Sequence, residues 1–568
     1  MRRRQASTAS LDREGLHPVL ARVLGSRGVE SLGEIDYALG HLLRPVGLGQ
    51  LEQAARRIAS AVEADEPTLV VGDFDADGAT GTAVCVLALR AMGHHDVDFV
   101  VPDRFAHGYG LSETLVEDTL RDQRARLLIT VDNGVSSVRG TDAAKRAGAD
   151  VVITDHHLPG EEIPAAHAVV NPNLAGAAFP SKCLAGVGVA FYTMLAVQRQ
   201  LEAAGWFGSG RRPPKLTDLL DLVALGTVAD LVPLDRNNRI LVSQGLRRIR
   251  AGRCRPGIAA LLSLAGRDLG RVTAADLGFS AAPRLNAAGR LDDMRIGINC
   301  LLAETEAEAR GFATTLHRLN DERRRIQADM EDEALAQVET ADSGRRILCL
   351  VDDAWHQGVV GLVASRMKEK WHRPSFAFAP EAEGSSVLKG SARSISGFHI
   401  RDALAWVDAR HPGLIARFGG HAMAAGLTLD RAKLEGFSAA IEACAADLLD
   451  PQLLEREIVT DGELGPTDFT VELAGTLRDW GPWGQGFPEA LFDGWFSVVD
   501  RRAIGVRHSK FRVRAEGGGP DLDALLFNRP LDSVPQAARL RLAYALEINE
   551  YMGNITPQLV VRHLLAHA

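Results

Sequence analysis

Cysteine is scarce: six residues in 568 (Cys85, Cys183, Cys254, Cys300, Cys349, Cys444), scattered and without a Cys-x-x-Cys pair. That spacing excludes a disulfide framework and a zinc ribbon, and it fits a reducing compartment. Aromatic residues are only 5% of the chain while glycine numbers 56, a composition rich in tight turns. Long apolar runs are missing; none approaches the ~18 residues that a membrane helix needs. The expectation is a cytoplasmic protein with no membrane association. Positive charge is also in deficit, with 64 Lys and Arg against 73 Asp and Glu and a formal net charge of −9. Bulk charge therefore argues against a nucleic-acid binder. Arg2, Arg3 and Arg4 have no apolar segment after them, so Met1–Ser10 reads as a disordered tail rather than a targeting peptide.

What is present is ordinary globular material, 46% hydrophobic and 24% charged. At roughly 100–200 residues per domain the length predicts three or four domains. After fifty residues of short helices and turns, apolar strands alternate with amphipathic helices. The strands are expected at Thr68–Gly72, Val97–Val101, Leu127–Val131, Val151–Thr154 and Ala168–Val170, with helices near Thr80–Met92, Ser112–Asp122 and Ser136–Ala147. Such alternation implies an α/β fold with a doubly wound parallel sheet. A charged stretch from Thr305 to Thr340 keeps apolar Phe312, Leu316, Leu319, Ile326 and Met330 at helical spacing, as a long solvated connecting helix does. A second, smaller α/β unit opens at Ile347–Val351. Short β-rich runs after about Leu449 (Trp495–Val499, Phe511–Arg514, Arg541–Ile548, Gln558–Val561) predict a small β-barrel. The divisions are 1–50, 51–304, 305–344, 345–450 and 451–568.

Four polar clusters follow strands or helices of the first domain. Asp73, Asp75 and Asp77 alternate directly after an apolar strand; Asp132-Asn133-Gly134 follows the third strand; Asp155-His156-His157 follows the fourth; and Asp230 closes the run Val223–Ala229. In an open α/β sheet the carboxyl ends of the strands meet in one crevice, so these clusters are expected to converge. Three close aspartates repel unless a cation sits among them. A calcium loop would need a glutamate at the twelfth position, which is Val84. Carboxylates with imidazoles and no thiolate suit Mn²⁺ or Mg²⁺. An aspartate shared by two ions would set them ~3.5–4 Å apart, as in two-metal phosphoryl hydrolysis.

At these residues the chain resembles the DHH phosphoesterase superfamily and, within it, the RecJ-like single-strand-specific exonucleases. The resemblance extends through Val223–Asp230, Ala282–Arg290, Trp355–Gly361, Gly390–Ser394, Gly419–His421 and Trp480–Gly486. It implies one ion held by Asp77, Asp132, His156 and Asp230, and a second by Asp75 and Asp132 with Asp73 nearby. Asp155 would orient its neighbours, and His157 would face the scissile phosphate as electrophile or proton donor. Arg284, Asn286 and Arg290 would flank the active site. Some superfamily members carry a histidine ligand where this chain has Val71, which leaves the Asp75 ion one protein ligand poorer. The implied activity is 5′-to-3′ hydrolysis of single-stranded DNA in recombination and repair. Single-strand-binding protein and a RecQ-type helicase are the implied partners of a monomeric enzyme.

Elsewhere, Ser391, Arg393 and Ser394, together with Gly419, Gly420 and His421, offer hydroxyls, backbone amides and cations for phosphate. The resemblance adds Arg104 and assigns Arg104, Ser391 and Arg393 to the 5′ phosphate. Between Arg501 and Arg514 six basic residues, Lys510 and Arg512 among them, interleave with Phe511 and no acid. Basic side chains with stacking rings are what sequence-tolerant single-strand binding needs. Tyr551 and Met552 read equally as core or contact surface. Ten Arg against four Asp between Arg247 and Arg295 add a second local excess of positive charge. Two other functions remain compatible with the residues: a phosphoesterase of short oligonucleotides or cyclic dinucleotides, and a non-catalytic single-strand-binding scaffold.

Overall fold

The computed structural model describes residues 1–7, 10–104, 106–122, 125–208, 210–340, 344–551 and 553–568. The chain forms two compact units. Met1–Gly289, Asp293–Leu316 and Ile458–Ala568 make the first; Arg290–Asp292 and His317–Glu457 make the second.

In the first unit a two-residue strand, β1 (Arg2–Arg3), precedes a sheet of five parallel strands: β2 (Thr68–Val71), β3 (Val97–Val100), β4 (Leu127–Val131), β5 (Asp150–Thr154) and β6 (Ala168–Val170). Their order is β3-β2-β4-β5-β6, so chain direction across the sheet reverses between β2 and β4. That switch point is where doubly wound sheets open a crevice. β2 and β4 are buried along their whole length, as continuous apolar runs covered on both faces should be. Each buried Val, Leu or Ile stabilises the fold by ~1.5–3 kcal/mol. The strands lie within a residue of their expected bounds.

The helix expected at Thr80 instead begins at Ala76 (α1, Ala76–Ala91). Asp75 is the reason: its carboxylate accepts the Gly78 N–H at 2.9 Å and caps the helix. The later part of the acidic motif is therefore wound into a buried helical turn. Further helices are α2 (Gly186–Ala203), α3 (Leu220–Ala229), α4 (Arg236–Arg250) and α5 (Ala282–Leu291), the last entered through a π-helical turn at Leu277–Ala281. The long charged helix is α6 (Glu306–Thr340).

The second unit carries a mixed sheet in the order β10-β11-β9-β8-β7. Its strands are β7 (Leu348–Val351), β8 (Ser375–Pro380), β9 (Val387–Arg393), β10 (Arg417–Gly420) and β11 (Ala424–Asp430). Helices α7 (Val360–Trp371), α8 (Ile400–Arg410) and α9 (Leu434–Leu448) accompany them. Phe376, Phe378 and Phe437 form the centre of its core, with edge-to-face rings 5.4 and 5.8 Å apart.

The C-terminal segment belongs to the first unit. After β12 (Val459–Thr460) and α10 (Val471–Asp479), five strands close a barrel in the order β13-β14-β15-β17-β16. They are β13 (Phe492–Ile504), β14 (His508–Ala515), β15 (Asp521–Leu526), β16 (Arg539–Tyr551) and β17 (Asn554–His567). This is the strand order of an oligonucleotide-binding fold. Among the described residues no helix is long and apolar enough to cross a membrane.

Two charge readings need correction. The expected disordered tail is ordered at Arg2–Arg4: β1 pairs in parallel with β12, Arg3 bonds Asp493 and Arg4 bonds Asp461. The basic runs are also largely committed to the fold. Arg501 donates to the Pro535 and Ala537 carbonyls, Lys510 pairs with Asp523 at 2.6 Å, and Arg512 and Arg514 share Asp521. The Phe511 ring is 1% exposed inside the barrel and presents no face to a ligand. A strand's side chains alternate, so Phe511 points inward between the outward Lys510 and Arg512. Between Arg247 and Arg295, Arg248 pairs with Asp218, Arg267 with Asp276, Arg271 with Glu550 and Arg295 with Asp293. Arg255 caps the carbonyls of Leu301, Leu302 and Ala303. Tyr551 is exposed; Met552 lies outside the described residues.

Candidate metal centre and substrate site

The four polar clusters meet at the carboxyl ends of β2, β4 and β5. Two residues past the end of β2 stands Asp73, whose Oδ1 accepts the Phe74 N–H at 2.7 Å. Asp77, in the first turn of α1, is clasped by the start of α2: Gly186 N–H donates to Oδ2 at 2.6 Å and Val187 N–H to Oδ1 at 2.9 Å. Asn133 stitches the neighbouring strand ends together, its amide donating to the Val71, Gly72 and Val131 carbonyls. Asp230 is the C-cap of α3. Gly226 allows α3 to close on α1, because a Cβ there would lie 2.2 Å from Thr80 Oγ1 and 2.8 Å from Asp77 Oδ1.

The histidines follow from β5. Asp155 accepts the backbone N–H groups of His156, His157 and Val135, and its Oδ1 lies 2.7 Å from His157 Nδ1. Burial alone would raise the Asp155 pKa, but the hydrogen bond and charge of His157, with the charge of His156 and the Val135 amide, hold it below its ordinary value. Burial opposes the charged imidazole of His157, yet the Asp155 bond and charge, with Asp230 and Asp73, raise its pKa to about 9. His156 Nε2 sits 3.0 Å from Asp132 Oδ1 and 3.5 Å from Asp230 Oδ2.

These residues fit a divalent cation. Ligand atoms of Asp77, His156 and Asp230 lie within 4.8 Å of one another, as do those of Asp132, His156 and His157, and those of Asp73, Asp75 and Asp132. Asp132 Oδ1 and Asp230 Oδ2 are buried and make no hydrogen bond. Burial, then the charges of neighbouring aspartates, drives both carboxyls well above the usual range. The same causes, desolvation first and Asp75 second, push Asp73 up to about 8 and Asp77 up to about 7. Crowded oxygen donors with imidazole and no thiolate suit Mn²⁺ or Mg²⁺.

Arg104 joins this group: its guanidinium lies 4.1 Å from the centre of the Phe74 ring. Burial lowers its pKa, against the pull of Asp73 and Asp75. Tyr109 was not among the residues expected from sequence. Its hydroxyl donates to the Asp132 carbonyl at 3.1 Å and lies 3.3 Å from His157 Nδ1. Its only sequence signal is an aromatic between two glycines, Gly108 and Gly110, after β3. Asn286 also reaches the site, accepting the Ala76 N–H at 2.7 Å. Arg284 is buried and donates to the Ser280 carbonyl.

In the second unit, Arg393 Nη1 donates to Ser391 Oγ at 2.9 Å, and Arg290 donates to the Gly358 carbonyl. β9 pairs with β11 and β11 with β10, placing Ser391 opposite Gly426 and Gly426 opposite Gly419. Gly426, another residue sequence reasoning passed over, and Gly419 leave that row without a side chain beyond Ser391. Gly420 and His421 follow at the end of β10. Ser394 does not fit the expected phosphate role: it is 1% exposed and its hydroxyl donates to the Phe398 carbonyl at 2.6 Å.

Gly186 supplies a test of the metal centre. A Cβ there would stand 2.5 Å from Asp132 Cβ and 2.6 Å from Asp132 Oδ1. Gly186→Ala is expected to lower turnover by on the order of 10²-fold through ligand misplacement. Wild-type rates in a metal titration of this variant would refute the placement.

Models of the DHH family N-terminal domain, the DHHA1 domain and the RecJ OB domain match residues 67–227, 344–447 and 460–563. The chain is 49% identical to the single-stranded-DNA-specific exonuclease RecJ of Dickeya dadantii (strain 3937), covering 99% of this chain and 98% of that relative. Its counterpart from Escherichia coli (strain K12) is also 49% identical, with the same coverage. The crystal structure of RecJ from Thermus thermophilus in complex with Mn²⁺ is similar with a TM-score of 0.81 at 31% identity, covering 99% of this chain and 77% of that chain. The Mg²⁺ complex of the same protein gives 0.76 at 30% identity, covering 99% of this chain and 76% of that one. With the acidic and histidine clusters converging over a parallel sheet and a closed barrel at the C-terminus, the chain belongs to the RecJ family of DHH phosphoesterases.

Proposed function

We propose that the chain is a metal-dependent exonuclease that hydrolyses single-stranded DNA from its 5′ end in recombination and repair. The observation that carries this reading is the overlap of ligand groups: Asp132 and His156 each serve more than one cluster at the ends of β4 and β5. Asp77, Asp132, His156 and Asp230 would hold one ion, and Asp75 and Asp132 with Asp73 a second. When bound, the ions supply Lewis acidity, lowering the pKa of an attacking water and offsetting charge on the phosphate.

The remaining chemistry belongs to the chain. Asp155 fixes the His157 ring through Nδ1 and keeps it cationic, which suits Nε2 to stabilise a phosphate or to protonate the leaving oxygen. Ser391 with Arg393, in the second unit, is suited to a terminal phosphate; Arg104, in the first unit, is by itself also a cation suited to phosphate. A cavity of about 1090 Å³ in the first unit is suited to the strand. Thr227 and Leu231 from the Asp230 region, Arg247, Arg250, Phe279 and Trp480 line it. Phe279 is 82% exposed, so it can offer the stacking face that Phe511 cannot.

End-labelled single- and double-stranded DNA, assayed with Mn²⁺, Mg²⁺ or chelator, tests the proposal. Rapid cleavage of the single strand and none in chelator is expected; equal cleavage of both forms, or activity in chelator, would overturn it. Arg393→Ala should reduce the preference for a 5′-phosphorylated end by about 10- to 100-fold, as loss of a charged hydrogen bond implies. An unchanged preference would move that role to other residues.

A further inference from the structure

The turn that carries Asp75 is gripped by one face of a single helix. Asn286 and Gly289 stand three residues apart, on the same side of α5, and lie with this turn in the first unit. Asn286 Oδ1 accepts the Ala76 N–H at 2.7 Å. A Cβ on Gly289 would stand 1.8 Å from the Phe74 carbonyl oxygen, so helix and turn are in direct backbone contact. The peptide groups on both sides of Asp75 are thus fixed by α5. A Cβ on Gly78 would lie 2.6 Å from the Asp73 backbone nitrogen, which closes the turn against α1 as well.

Asp75 and Asp77 depend on this grip unequally. Asp77 is buried, and its two carboxylate oxygens accept the Gly186 and Val187 N–H groups of α2. Helix α2 therefore orients Asp77 independently of α5. Asp75 is only half-buried, and its carboxylate accepts the Gly78 N–H of its own turn. Its direction follows the turn, and the turn follows Asn286. Ala76 is the first residue of α1, where a backbone N–H has no partner within the helix, and it is 1% exposed. Without the Asn286 acceptor a buried donor is left unpaired, and the turn must shift to reach water.

We propose that Asn286, backed by Gly289, is the positioning residue for the Asp75 carboxylate and sets the affinity of one of the two cations. The cation concerned is the one among Asp73, Asp75 and Asp132, whose donor atoms lie within 4.8 Å of one another. Two of those three donors come from the turn that α5 holds. The cation among Asp77, His156 and Asp230 does not depend on Asn286, because α2, the end of β5 and the end of α3 place those side chains. The inference rests on the reading of these two groups as separate cation sites.

The test measures cation binding, not turnover. Free Mn²⁺ is followed by electron paramagnetic resonance during titration of the full chain, for the wild type and for each variant. Two classes of site are expected in the wild type. Asp75→Asn keeps the helix cap, since asparagine caps as well as aspartate, and should remove one class, which identifies the Asp73, Asp75 and Asp132 site. Asn286→Ala should weaken that same class by about 10-fold and leave the other within about twofold, as loss of one hydrogen bond from a buried donor implies. Asn286→Asp retains an acceptor for the Ala76 N–H and should hold that class at wild-type affinity or tighter. Equal weakening of both classes in Asn286→Ala, as a general loosening of the fold would give, overturns the proposal. An unchanged isotherm in Asn286→Ala, or an equal loss in Asn286→Asp, overturns it too. A single class in the wild type, or two classes that survive Asp75→Asn, overturns the reading of the ligands and the proposal with it.

Discussion

Asp132→Asn should abolish turnover while leaving strand binding intact. Asparagine is the informative replacement because Asp132 has φ of 63°, and Asn tolerates that left-handed conformation better than Ala. Asp132 belongs to two of the three ligand groups. Losing it should cost ~4–5 kcal/mol of transition-state stabilisation, or on the order of 10³–10⁴-fold in rate. The metal-free protein gives a second readout. Burial and the charges of Asp77, Asp75 and Asp230 raise the Asp132 pKa, so its ionised form opposes folding. For a carboxyl whose folded pKa exceeds its unfolded value of ~4, that opposition is absent below the unfolded value and grows as pH rises toward the folded one. With Asp73 at about 8 and Asp77 at about 7, the metal-free fold should lose stability from about pH 4 to pH 7–8, and Mn²⁺ should restore it. Asp132→Asn should melt no lower than wild type without metal and gain less from Mn²⁺. A variant that retains turnover, or that gains as much from Mn²⁺ as wild type, would refute the assignment.

Asp461→Ala should cause the largest loss of stability, about 3–5 kcal/mol, because it strands buried cations. The Asp461 side chain is fully buried and pairs with Arg27 at 2.9 and 3.1 Å and with Arg4 at 3.1 Å. It also accepts from Ser26 Oγ and the Leu491 N–H. This cluster ties the N-terminal segment to the segment that leads into the barrel. Burial opposes ionisation of Asp461, but Arg27, the Leu491 amide and Arg4 outweigh it and lower its pKa. Its stabilisation is therefore complete above the unfolded value of ~4 and is lost as pH falls through the lower folded value. The melting temperature of wild type should drop on acidification through that window, and that of Asp461→Ala should drop less there. A change below ~1 kcal/mol would show the cluster to be a surface-like pair.

Much of the metal centre was legible because the ends of parallel strands must meet. Asp73, Asp132 and Asp155 follow apolar runs whose burial on both faces left little freedom in register. The barrel was legible from its β-rich runs, though its strands are longer than those runs. Charge was misread where pairing decides its meaning. The arginines at 248, 255, 267, 271 and 295 read as a patch for nucleic acid, yet they meet carboxylates and carbonyls of the fold, near in sequence for Arg267 and Arg295 and distant for Arg248, Arg255 and Arg271. Phe511 read as a stacking ring because the inward and outward faces of a barrel strand depend on register, which composition does not reveal. Tyr109 and Gly426 carry no motif; they matter only through what lies beside them.

Local patterning thus determined the fold class and singled out the candidate metal-ligating side chains, while the motifs at those positions carried the resemblance to the family. It could do so because apolar periodicity and the polar residues at strand ends are properties of short segments. The tertiary structure alone decided which cations are committed to the fold, which rings face outward, and that α5 bears on Phe74 and Ala76. Those outcomes depend on contacts between residues as far apart as Ala76 and Asn286, and no local pattern encodes which distant partner will desolvate or neutralise a group.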